Sequence, residues 1–104
     1  MIQSNPYAEE ENILKLISDQ CSRKIMDSIQ TESKTAIQIS SELGTELSAI
    51  YRRLQKFQKF NLLNVTFQIT PDGKKSYYYQ SKINGIDSSY HKGNFKLVLS
   101  FNQT

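Results

Sequence analysis

The sequence predicts an α+β domain, a helical N-terminal part followed by antiparallel β-hairpins. Apolar residues recur at three- and four-residue steps up to about residue 60, and at every second residue beyond Asn61. Gly44 interrupts the helical period in a way that divides two short helices. With 104 residues, 38 % of them hydrophobic, the chain can bury one modest core, and one domain is expected.

Residues 1–6 read as a polar, disordered tail ending at Pro6, ahead of a domain over 7–82 and a C-terminal hairpin extension over 83–104 packed on it. Glu9, Glu10 and Glu11 precede Ile13, Leu14 and Ile17, so that acidic charge meets the positive end of a first helix. A second helix has Ser22 as its N-cap and Ile25, Met26 and Ile29 on one face. Asp19 to Ser22 is either a break or a bend, since Ile13, Ile17, Cys21 and Ile25 also keep a spacing of four.

Thr35 caps a short third helix that buries Ile39 and Leu43 with Ala36, and Gly44 ends it in a left-handed conformation. Thr45 then caps a fourth helix over 45–60, with Leu47, Ile50, Leu54 and Phe57 as its inner stripe. Its opposite face carries Ser48, Ala49, Arg52, Arg53, Lys56 and Lys59, flanked by Tyr51 and Gln55. Two short helices joined by a glycine turn, the second bearing arginines, make a helix-turn-helix.

Leu63, Val65, Phe67 and Ile69 alternate with polar residues and mark a half-buried strand. Pro71-Asp72-Gly73-Lys74 is a turn, and Lys75 to Lys82 is the return strand, with Tyr78 facing opposite Tyr77 and Tyr79. The tyrosines read as packing residues ahead of base-stacking ones. A second hairpin spans Ile83 to Phe101, turning at Lys92-Gly93-Asn94. Its alternating run from Phe95 to Phe101 is either the last core strand or an edge used by a partner chain.

Charge divides unevenly. Residues 1–44 hold four basic and seven acidic residues, a net −3, whereas residues 45–82 hold seven basic and two acidic ones, a net +5. The basic half begins with the fourth helix and suits a polyanion. The lone Cys21 excludes an intramolecular disulfide, and with His91 it cannot supply the usual zinc ligands, so no metal or cofactor is expected. Cys21 reads as a small core residue and His91 as a turn residue. The N-terminus lacks a signal-peptide pattern and no apolar run approaches the roughly 20 residues needed to span a bilayer, so a cytoplasmic location is expected. No Cys-His pair, phosphate-binding glycine loop or metal spacing points to an enzyme.

In helix-turn-helix proteins the second helix enters the major groove of double-stranded DNA. Ser48 and Ala49 are small enough for close approach, and Arg52 has the fork that engages guanine O6 and N7. Arg53 and Lys56 would reach bases or phosphates, with Thr45 and Tyr51 at the margin, while Lys74 and Lys75 at the hairpin tip would grip phosphates.

Over about Ile13 to Tyr79 the chain resembles the winged helix-turn-helix transcription regulators, in particular the small archaeal ArsR-like group. The resemblance rests on Ser22-Arg23-Lys24-Ile25-Met26, Ile39-Ser40-Ser41-Glu42-Leu43-Gly44, Ser48-Ala49-Ile50-Tyr51-Arg52-Arg53-Leu54 and Gly73 in the wing. It implies transcriptional control by a homodimer on a near-palindromic site. Metal-sensing members carry cysteine pairs or histidine and carboxylate clusters that this chain lacks, so metal sensing is not carried over, and no small-molecule effector is identified. A winged helix acting as a protein-interaction module within a larger assembly is the alternative.

Overall fold

The computed structural model describes residues 6–102. Its elements are α1 (Pro6–Ser18), α2 (Gln20–Ser28), α3 (Ala36–Leu43), α4 (Leu47–Lys59), β1 (Leu63–Ile69), β2 (Lys75–Ser81), β3 (Ile83–His91) and β4 (Asn94–Phe101). Residues 1–5 of the expected tail lie outside the described residues. Pro6, its expected last member, instead opens α1, a position where a missing N–H is no loss. No helix among the described residues is long and apolar enough to cross a membrane.

The chain bends at Asp19, whose backbone is extended (φ −76°, ψ 122°). Asp19, and not Ser22, is the N-cap of α2: its carboxylate accepts from the Ser22 N–H at 3.2 Å and from Ser22 Oγ at 2.9 Å. An ionised carboxylate is the stronger acceptor and faces the positive end of the helix dipole, so the Ser22 hydroxyl donates to it and is buried. Arg23 closes the bend by donating to the Ile17 and Ser18 carbonyls, each at 2.8 Å.

The same Asp19 carboxylate receives Arg53 Nε from α4 at 2.6 Å. Arg53 and then Ser22 hold the Asp19 carboxyl down to about 2, from an ordinary 3.8. The Arg53 guanidinium is pushed up in turn by its bond to Asp19.

Thr35 caps α3 as expected, within a reciprocal box: Thr35 Oγ1 accepts from the Gln38 N–H at 3.1 Å, and Gln38 Oε1 accepts from the Thr35 N–H at 2.8 Å. Gly44 ends α3 at φ 64°, a conformation a Cβ would strain. Thr45 is not the cap of α4, because the turn holds it: its N–H donates to the Ser40 carbonyl at 3.2 Å and its own carbonyl accepts from Ser40 Oγ. Glu46 takes the cap position without a side-chain bond, and the helix runs from Leu47 to Lys59.

Ile25, Ile29, Ile39, Ile50, Leu54 and Phe57 are fully buried at the centre of the core. Each contributes about 1.5–3 kcal/mol relative to exposure. Leu47 departs from the expected stripe at 36 % exposure, since the first turn of α4 projects beyond the core.

β1 and β2 pair antiparallel from Leu63↔Ser81 to Ile69↔Lys75, and β3 with β4 forms a separate two-stranded sheet. Leu63 is buried and Val65 partly so, but Phe67 and Ile69 are 52 % and 60 % exposed. The strand expected to be half-buried is so only in its first part, because the hairpin outruns the helical layer. Lys34, just before α3, forms an isolated bridge with Tyr79: Lys34 N–H to Tyr79 O at 3.0 Å and Tyr79 N–H to Lys34 O at 2.8 Å.

Between β2 and β3 the chain passes through a polar joint. The Ser81 N–H donates to Ile29 O at 3.0 Å, the Lys82 N–H to Leu62 O at 2.9 Å, and Gln30 Nε2 to Ile83 O at 2.6 Å. The second hairpin turns on two residues, Lys92 (φ 50°) and Gly93 (φ 83°), both positive as such a turn demands; Asn94, expected in the turn, begins β4. Leu97 and Leu99 pack on the core with Ile86, while Val98 and Phe101 stay exposed.

Thr35→Ala removes half of the capping box and is expected to lower stability by about 1 kcal/mol. The reading is a shifted urea midpoint at unchanged m-value, and an unshifted midpoint would mean that the box adds nothing. Asp19, with its lowered pKa, stabilises the fold above the ordinary carboxylate range, and that stability is lost as pH falls from about 4 towards 2. The difference in melting temperature between the wild type and Arg53→Gln should therefore be largest at pH 5–7 and shrink towards pH 2, roughly over the window of that titration. A difference independent of pH would show that the pair contributes by packing alone.

Candidate nucleic-acid interface

Residues on α4 advance by about 100° each around the helix axis, so the orientation of the buried Ile50, Leu54 and Phe57 sets where the rest point. Ser48, Arg52 and Lys59 lie most nearly opposite the core, with Gln55 and then Tyr51 towards one flank and Lys56 towards the other. Ser48, Tyr51, Arg52 and Lys56 are exposed. Arg52 and Lys56 make no ion pair among the described residues, and the same holds for Lys59.

The expected contacts separate into three situations. Ala49 is half-buried, and Thr45, also half-buried, is held in the turn. Arg53 is drawn inward: besides Asp19, it donates from Nη1 to the Ala49 carbonyl at 3.3 Å, and its side chain is 22 % exposed. Arg52, one residue earlier, points to solvent. The difference between the neighbours lies in the partner on α1–α2, which periodicity along α4 does not reveal.

On the Tyr51 flank, a groove of about 290 Å³ separates α4 and the start of α3 from the β1–β2 tip. It brings together Tyr51, Lys74 and Lys75, three of the expected residues, with Thr35, Ile37 and Tyr77. Thr70 shapes the tip. Its N–H donates to Lys74 O at 2.7 Å, its carbonyl accepts from the Gly73 N–H at 2.9 Å, and its hydroxyl donates to Asp72. Gly73 sits at φ 83°. Lys74 and Lys75 are exposed there, and Lys75 Nζ lies 4.6 Å from the centre of the Phe67 ring, a cation–π contact that steadies the side chain without neutralising it. Phe67 in turn meets Tyr77 with ring centres 6.2 Å apart. Tyr79 is half-buried on the same face, and burial raises its phenol. Tyr79 packs against the core, whereas Tyr77 stays 47 % exposed beside Phe67.

On the other flank, a cleft of about 470 Å³ lies between α1 and α4. Asn12, Lys15, Leu16 and Asp19 line it from α1 and the bend, and Arg52, Arg53, Lys56, Lys59 and Phe60 from α4. Five cations thus share a cleft with one carboxylate, and that carboxylate already holds Arg53. Lys15 was missed by reasoning from the sequence because it belongs to the acidic half. The available signal was the spacing of Asn12, Lys15 and Asp19, which puts all three on one helical stripe. Lys34 is basic but occupied, its Nζ bound to Glu42 at 2.8 Å. Among the described residues no three histidine, cysteine, aspartate or glutamate side chains gather at metal-binding spacing.

Neither a protein-family model nor a curated protein matches the chain. Among solved structures it is similar to NolR from Sinorhizobium fredii, a winged-helix protein, with a TM-score of 0.56 and 22 % identity, covering 78 % of this chain and 81 % of that one. With four helices followed by antiparallel hairpins and α4 set beside the first of them, the chain has the winged-helix fold.

Proposed function

We propose that this chain is a sequence-specific DNA-binding transcription regulator with no catalytic step, acting in the cytoplasm as a homodimer on a near-palindromic site, in the manner of the small ArsR-like group. The observation that carries the proposal is the outer face of α4, where Ser48, Tyr51, Arg52 and Lys56 are exposed beside a wing tip bearing Lys74 and Lys75. An α-helix fits the major groove, and a face with the small Ser48 and cations that make no ion pair among the described residues is what base edges and phosphates require. The shared fold with NolR supports the same reading.

In this scheme Ser48 and Ala49 allow close approach, Arg52 reads a guanine, Tyr51 and Lys56 flank it, and Lys74 and Lys75 hold backbone phosphates. Thr45 orients the start of α4. Arg53 acts from behind, tying α4 to the α1–α2 bend through Asp19. The wing also exposes Phe67, Ile69 and Tyr77, an apolar surface that favours protein interaction as the second reading.

Arg52→Ala should cost roughly 1–3 kcal/mol on the cognate site and much less on random duplex. Equal losses on both would reduce Arg52 to a phosphate contact. Lys74→Ala with Lys75→Ala should weaken binding to every sequence and flatten the salt dependence of log K by roughly 1–2 units. Selection of bound fragments from the host genome should return palindromes with half-sites about 10 bp apart. Absence of any salt-dependent shift, with a protein partner co-purifying, would favour the interaction module.

A further inference from the structure

A recognition helix seated in the major groove has a sugar–phosphate strand on each side of it, because the groove is only about 12 Å wide. The wing supplies cations on the Tyr51 side of α4 alone. On the far side, the α1–α4 cleft gathers Lys15, Arg52, Lys56 and Lys59 around a floor of Leu16, Ser22 and Phe60. Asp19 is the one carboxylate in that lining, and Arg53 already neutralises it at 2.6 Å. The four other cations make no ion pair among the described residues, so they repel one another across a partly apolar cleft. An anion between them would relieve that repulsion.

We infer that the α1–α4 cleft is a second phosphate seat, in which Lys15 and Lys59, together with Lys56, hold the duplex backbone strand opposite the one gripped by the wing. The inference rests on the DNA-binding reading and extends it to α1, which lies outside the helix-turn-helix. Asn12, one turn before Lys15 on the same stripe, offers an uncharged donor at the rim. Arg52 stands between the cleft and the outward face of α4, so with Lys15, Lys56 and Lys59 holding the phosphate its fork is left for base edges. The recognition helix is then clamped from both sides, and its angle in the groove is set by two walls.

The test compares three double variants with the wild type on one duplex across about 50–300 mM KCl: Lys15→Gln with Lys59→Gln in the cleft, Lys74→Ala with Lys75→Ala in the wing, and Lys92→Gln with Lys96→Gln in the second hairpin. The last pair removes the same charge from exposed positions outside both regions. The cleft pair is expected to flatten the slope of log K against log salt by about 1–2 units and the control pair by far less, since each released phosphate contact is worth about 0.9. A flattened wing slope with an unchanged cleft slope would overturn the cleft seat while leaving the DNA reading intact. Loss of slope in the control equal to that in the cleft pair would also overturn it, by reducing the effect to net charge. A wild type with no salt-dependent binding would remove the DNA reading itself, and this inference with it. In a second arm, pyrophosphate is titrated while α1 and α4 amide resonances are followed. Saturable sub-millimolar binding together with an unchanged cleft slope would assign the cleft to a free small anion and overturn the backbone seat. Circular dichroism of each variant confirms that these exposed substitutions leave the fold in place.

Discussion

The Asp19 carboxylate is the constraint on which the arrangement of the helices depends. It caps α2 through the Ser22 N–H, accepts from the Ser22 hydroxyl and receives Arg53 from α4. A partly exposed ion pair alone is worth little in water. Here the carboxylate also satisfies a helix N-terminus, so the groups that attract Arg53 are already ordered by the bend, and little further entropy is lost in making the bond. Three elements thereby meet at one side chain. The buried Ile50, Leu54 and Phe57 set the rotation of α4, and the bond to Asp19 then separates Arg53, turned inward, from Arg52, left to solvent.

At the other end of α2, a second polar cluster governs where the strands go. Gln30, Ser81 and Ile83 share hydrogen bonds at the passage from β2 to β3, and Ser81 is buried there. Buried backbone groups need partners, and in this joint side chains and the ends of α2 and β1 provide them. The two hairpins can consequently form separate sheets instead of one continuous sheet. The first is free to project past the helices, while the second returns Leu97 and Leu99 to the core beside Ile86.

Most of the architecture was legible in the sequence because it is written in local periods and turn chemistry. Thr35, Gly44, Gly73 and Gly93 do what their residue types do best, and the change of period after Asn61 marks the passage to strands. What escaped depends on partners distant in sequence. Asp19 outcompetes Ser22 as a cap partly because Arg53 is waiting, 34 residues away. Ser40 removes Thr45 from the start of α4. Alternation shows which way Phe67 and Ile69 point but not whether anything lies there to cover them. The cation-rich face of the candidate site was visible on α4, whereas Lys15 could join it only once α1 was placed alongside.

The wing is secured near its base, by the exchange between Lys34 and Tyr79 and by the bond from Ser81 to Ile29, and among the described residues no hydrogen bond to another element holds its outer half. From Tyr79 to the tip at Lys74 is about 17 Å at the usual rise of a strand. Any tilt of the hairpin would therefore turn about a peptide pair just before α3. A tilt of about 10° there carries the two tip ammonium groups by about 3 Å, roughly one strand residue's rise. Lys34 is thus a mechanical part as well as a paired charge, and the reach of the tip is set by backbone bonds made far from it.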